Sequence, residues 1–146
     1  MSEFDDFESA FGSPAKSSET FCYFNVFLEG RFFDPTSREA QAANTKFSKP
    51  IAKMIKLNAL PDAKKRELGY RVLIEVSLIG WQGVTAAHIK HGEVTEQEKI
   101  TPIDCTPDNA LAFFKKYPRF AQSFYEDCSD ISNFGIAPAD EDDAKN

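Results

Sequence analysis

Leu68-Gly69-Tyr70-Arg71-Val72-Leu73-Ile74-Glu75-Val76-Ser77-Leu78-Ile79-Gly80-Trp81 forms the apolar centre of the chain. It follows Pro61 and the polar group Lys64, Lys65, Arg66 and Glu67, and it predicts a central helix over residues 61–81 with Pro61 at its first position. Tyr70, Val72, Leu73, Ile74, Val76, Leu78, Ile79 and Trp81 go most of the way round such a helix, so neighbours must pack on nearly every side of it. Full burial of side chains of this kind stabilises by roughly 1.5–3 kcal/mol each, which makes this segment the largest favourable contribution to a fold. Glu75, in the middle, must reach solvent or a donor. Gly80 and Gly83 are suited to end the helix, with Trp81 plugging the end of the core.

On the C-terminal side, residues 85–105 carry His88, His91, Gly92, several charges and a β-like Lys99-Ile100-Thr101, a pattern that predicts a loop or irregular hairpin. Thr106-Pro107-Asp108 then supplies a hydroxyl cap, a first-turn proline and an acid at the positive end of the dipole, so a helix over 107–117 is expected, stopped by Pro118. Pro118 opens a last helix over 118–133, with Phe120, Phe124, Cys128 and Ile131 on one stripe and Asn133-Phe134-Gly135 at its end.

On the N-terminal side, Asp34 or Thr36 can cap a helix over about 37–57 whose apolar positions are Ala43, Phe47, Ile51, Met54 and Ile55. Pro50 within it predicts a kink or a restart near Ser48. Before it, Phe21, Tyr23, Asn25 and Phe27 alternate with Cys22, Phe24, Val26 and Leu28, which predicts a β-hairpin over 20–34 turning at Glu29-Gly30. The fold class read from these elements is mainly α with a small N-terminal β-hairpin, an α+β domain over residues 20–136 between an acidic flexible leader (1–19) and an acidic flexible tail (137–146).

The total charge of −6 is concentrated at the ends. The leader carries Glu3, Asp5, Asp6, Glu8 and Glu19 against Lys16, and the tail carries Asp140, Glu141, Asp142 and Asp143 against Lys145, leaving the body near neutral. A near-neutral body offers no broad positive field for a phosphate backbone, so no nucleic-acid partner is expected. No apolar run reaches membrane-spanning length, and the first residues are acidic where an export signal is basic, so no membrane partner or export is expected either. Cys22, Cys105 and Cys128 are odd in number and widely spaced, which predicts reduced thiols. Phe4, Phe7 and Phe11, at i, i+3 and i+7, would share one side of a helix with acids on the other, a candidate docking motif.

Chemistry is sparse. His88-x-x-His91 lacks a third ligand of fitting spacing, no glycine-rich phosphate loop follows a strand, and the carboxylates cluster in tails where nothing raises their pKa. No cofactor, no metal and no enzymatic activity are therefore expected. What remains is aromatic and aliphatic surface: Phe21, Tyr23, Phe27, Phe32, Trp81, Phe120, Phe124 and Phe134 are the candidate protein-binding residues.

One ordered set of motifs adds to this reading: Gly80-Trp81-Gln82-Gly83-Val84, Gly92-Glu93, Thr106-Pro107-Asp108-Asn109-Ala110-Leu111, Pro118 and Asn133-Phe134. In that order they resemble the tail assembly chaperones of long-tailed bacteriophages, a likeness that covers roughly residues 40–134. The resemblance implies a small, largely helical protein of the host cytoplasm that coats the phage tape-measure protein and brings tail-tube subunits to it. A homo-oligomer is a separate partner expectation. The interval from Val84 to Thr106 is longer than the family's usual one, and the acidic ends are not part of its pattern. Two other classes fit the same residues: a structural component of the phage tail or connector, retained in the virion, and an acidic phage inhibitor of a host system.

Overall fold

The computed structural model describes residues 11–135 together with Glu3 and Phe7. Phe4 and the acidic tail 137–146 lie outside the described residues. Three strands, β1 (Glu19–Tyr23), β2 (Val26–Gly30) and β3 (Leu78–Gln82), form an antiparallel sheet in the order β1-β2-β3. Six helices between residues 11 and 135 accompany it: α1 (Arg38–Ser48), α2 (Ala52–Lys56), α3 (Asp62–Ser77), α4 (Glu96–Ile100), α5 (Pro107–Lys116) and α6 (Pro118–Ser129), with short 3-10 turns between and after them. The α+β class read from the sequence is the observed one.

The central apolar run divides differently from the expectation. The helix ends at Ser77 and Leu78–Gln82 becomes β3, pairing with β2 through Leu28↔Trp81 and Glu29↔Gly80. An apolar run rich in β-branched residues reads alike as buried helix or buried strand, and the partner strand that decides between them lies fifty residues away in sequence. Glu75 reaches solvent and pairs with Lys46 at 3.0 Å.

The hairpin turn also moves. Tyr23↔Val26 closes a two-residue loop at Phe24-Asn25, and Gly30 remains inside β2. Gly30 belongs there for a packing reason: a Cβ on it would come within 2.7 Å of Cys128 Sγ and 3.1 Å of Phe124. The tight turn sets the faces, so Phe21 and Tyr23 of β1 and Val26 and Leu28 of β2 point to the helices while Phe27 points away.

Pro50 breaks the first helical section into α1, a 3-10 turn at Lys49–Ile51, and α2. Its N-cap is Ser37, whose Oγ accepts from Ala40 N at 3.2 Å, rather than Asp34 or Thr36. Asp34 Oδ1 instead accepts from Thr36 N in the preceding turn. The segment read as a β-like loop holds α4, and Lys99-Ile100 is its last turn. Thr95 and Glu98 form a reciprocal capping box, with Glu98 N donating to Thr95 Oγ1 (3.2 Å) and Thr95 N to Glu98 Oε1 (2.9 Å). The last helix stops at Ser129, because Asp130 is extended and caps a separate 3-10 turn, Ile131–Phe134.

The core lies between the inner face of the sheet and α3, α5 and α6, with Leu28, Val84, Phe114, Phe124, Cys128 and Phe134 buried almost completely. α1 packs on α3, and α3 on α5. Glu67 ties α3 to α5, accepting from Lys115 (3.2 Å) and Lys64 (3.4 Å).

Candidate protein-interaction surface

Most of the aromatic residues singled out in the sequence build the interior. Phe124 and Phe134 are fully buried. Phe21 meets both edge-on, and Phe32 meets Phe134 at 5.8 Å. Tyr23 stacks edge-on against Phe120 at 4.9 Å and donates its hydroxyl to Asp127 Oδ2 at 2.6 Å, binding β1 to α6. Burial first, then Asp127, push the Tyr23 phenol far above its ordinary range. Trp81 packs edge-on against Phe113, and its indole N–H donates to the Ile103 carbonyl at 2.9 Å, pinning the 101–104 segment along β3. These contacts hold the sheet on the helices; of the eight candidates Phe27 projects from the opposite face, and Trp81 borders that face as well.

That opposite face carries the surface. Thr20, Phe27, Glu29, Gly80, Trp81 and Gln82 line a shallow depression of about 340 Å³ across all three strands. At its tip stands Phe24, 99% exposed and at φ +60°, a left-handed conformation unusual for a bulky side chain. Sequence reading missed Phe24 because its alternation placed it within a strand. Ile79 adds an exposed aliphatic group beside the register shift of β2 and β3. Cys22, on the same face, is the exposed thiol; Cys128 is sealed in the core, where burial, then Asp127, push its thiol up to about 12.

A second concavity, of about 700 Å³, runs between α1, α3 and α6. Phe33, Tyr70, Leu73 and Tyr125 give it apolar walls, and Arg66 and Asn44 stand among its polar groups. Gly69 lies in it with open space where a Cβ would be. In the leader, Phe7 and Phe11 lie in helical backbone with ring centroids 5.2 Å apart, and both are exposed.

The histidine signal resolves into architecture. His88 Nδ1 accepts from Thr85 N at 2.8 Å and its ring meets Phe113 at 5.4 Å. Burial, reinforced by the charge of Lys116, holds its pKa below the ordinary imidazole value. Among the described residues no group of three or more His, Cys, Asp and Glu side chains is placed to hold a metal ion, and no helix is long and apolar enough to cross a membrane.

The ordered motif residues have structural duties. Gly83 and Gly92 take positive φ, Thr106 Oγ1 accepts from Asn109 N, Asn109 Nδ2 donates to Asp104 O, and Asn133 Nδ2 donates to Asp127 O. No curated protein and no solved structure matches the chain. Over residues 35–146, from the start of the helical section onward, it matches the family model described as YdaY prophage protein. That match spans most of the sequence and places this chain in a phage-derived family: it belongs to the YdaY prophage proteins.

Proposed function

We propose that this prophage protein is a tail assembly chaperone, which holds the tape-measure protein and tail-tube subunits by non-covalent contact during assembly. The observation that carries the reading is the outer face of the sheet, uncovered among the described residues, with Phe24 held out at its tip in a conformation that costs energy and contributes nothing to the core. A bulky apolar group kept in such a position is useful to a surface that grips other chains. The ordered motifs shared with the chaperones point the same way. The protein works by surface recognition and catalyses no reaction, and its place of action is the host cytoplasm.

The test is co-expression of the full chain with the tape-measure and tail-tube proteins of the same prophage. The expected result is co-purification with both, absence from finished particles, and at least about tenfold weaker capture by a Phe24→Ser/Phe27→Ser variant. Recovery of the protein in purified particles at fixed stoichiometry would assign it instead to the tail structure. Failure of both partners to co-purify would reject the chaperone reading.

A further inference from the structure

The near-neutral charge of the body conceals a polarised distribution. Between Lys46 and Arg66 lie seven of the chain's 17 Lys and Arg against one acid in the same span, Asp62; Lys46, Lys64 and Lys65 pair with Glu75, Glu67 and Asp62, and the surplus positive charge rests on Lys49, Lys53, Lys56 and Arg66. These residues are contiguous in space as well as in sequence: they form the end of α1, the 3-10 turn, α2, the connection to α3 and the first turn of α3. The sheet lies at the other end of α3, about 24 Å away for a helix of 16 residues.

This tip is a built structure. Asn58 takes a left-handed φ of +54°, Asn58 N donates to Ile55 O (3.0 Å), and Ala59 N donates to Met54 O (2.8 Å). Those two bonds are the paired closure that ends a helix in a Schellman motif. Around it Met54, Ile55 and Leu57 are exposed by 46%, 43% and 66%. Lys49, Lys53 and Lys56 flank them and make no ion pair among the described residues.

We propose that this tip is a self-association surface that receives the acidic leader of a second copy. The leader is its complement in both respects. Phe4, Phe7 and Phe11 are spaced to share one side of a helix, with Glu3, Asp5, Asp6 and Glu8 among them. Phe7 and Phe11 are exposed by 61% and 75%, so among the described residues these two rings stand largely uncovered. Seated on Met54, Ile55 and Leu57, it buries apolar surface on both sides while its carboxylates face the lysines. A phosphate backbone would use the lysines and leave the apolar ridge wet.

The partner is a second copy because a leader coiled as a helix from Phe11 would be too short to reach the tip of its own molecule. Phe11 lines a cleft with Ser37 and Glu39 at the start of α1. From there to α2 is about 22 Å along α1 and the 3-10 turn, whereas a helix from Phe11 back to Phe4 spans about 10 Å. This inference does not rest on the chaperone reading, which uses the surface at the opposite end of α3.

Sedimentation of the full-length protein over a concentration series tests it. The two variants are Lys49→Glu/Lys53→Glu/Lys56→Glu and Phe4→Ser/Phe7→Ser/Phe11→Ser, with circular dichroism to verify that each is folded. The wild type should associate, and its dissociation constant should rise at least about tenfold in each variant and also when salt is raised from about 50 to about 500 mM. Mixing the variants should restore association above either alone, since one retains the leader and the other the tip. The proposal is overturned if the wild type stays monomeric throughout, if the leader variant associates like the wild type, or if mixing restores nothing. Tip-dependent binding of single-stranded DNA or of anionic vesicles by a monomeric wild type would also overturn it, assigning the lysines to another polyanion.

Discussion

Gly83 presents its bare Cα to the backbone carbonyl of Asn25, so closely that a Cβ there would overlap the carbonyl oxygen. Gly83 also has φ +83°. Through this contact the end of β3 supports the hairpin tip and fixes the direction in which Phe24 projects. Gly83→Ala combines a backbone clash with an unfavourable dihedral and should destabilise the fold by about 3 kcal/mol or more. Gly80→Ala, where a Cβ meets nothing within 4 Å, should change stability by no more than about 1 kcal/mol. Urea denaturation of the two variants checks the contrast.

Phe24 is expected to separate function from stability. Its side chain is almost wholly in solvent and its φ of +60° suits Gly or Asn better than Phe. Phe24→Asn should therefore leave the unfolding midpoint unchanged or slightly raised while weakening capture of tail proteins. A clear loss of stability in this variant would mean that the ring contributes to the fold.

Gly69 sits in the middle of α3 with open space beside it. Gly69→Ala should stabilise the protein by about 0.5–1 kcal/mol, since alanine restricts the unfolded chain and suits a helix interior. Thermal or urea unfolding measures the gain, and a loss would show that the groove between α1, α3 and α6 closes more tightly than its open space allows.

The hydroxyl of Tyr23 joins β1 to α6 through Asp127. Tyr23→Phe keeps the ring contact with Phe120 and removes this bond, leaving a part-buried carboxylate without its donor. The expected cost is about 1–2 kcal/mol, read from the shift in urea midpoint at constant slope.

His88 gives the fold a pH dependence of defined sign. Its folded pKa lies below the unfolded value of 6.5, so the unfolded chain binds the proton more readily. The stabilisation is therefore complete above about pH 6.5 and is lost as pH falls through the folded value. Protonation of Nδ1 also removes the acceptor for Thr85 N. Melting temperatures measured from pH 7.5 to 5 should fall less steeply in His88→Gln than in the wild type.

Elements with local causes are legible in the order of residues alone. Thr106-Pro107 starts α5 because a hydroxyl cap and a first-turn proline act within four residues, and Pro118 ends it for an equally local reason. Pro50 breaks the first helical section where a missing amide hydrogen requires it. The capping box Thr95-x-x-Glu98 was equally legible as a helix start, and reading its surroundings as β-like concealed it.

Features that depend on distant partners emerge only when the chain is packed. Leu78–Gln82 is a strand because β2 satisfies its backbone, and the turn falls at Phe24-Asn25 because Gly30 must lie flat beneath Cys128 and Phe124. That one shift of the turn sends Phe21 and Tyr23 inward, leaves Phe27 outward and exposes Phe24. Local chemistry fixes where a segment starts and stops, but which of its faces meets solvent is settled by whatever packs against it.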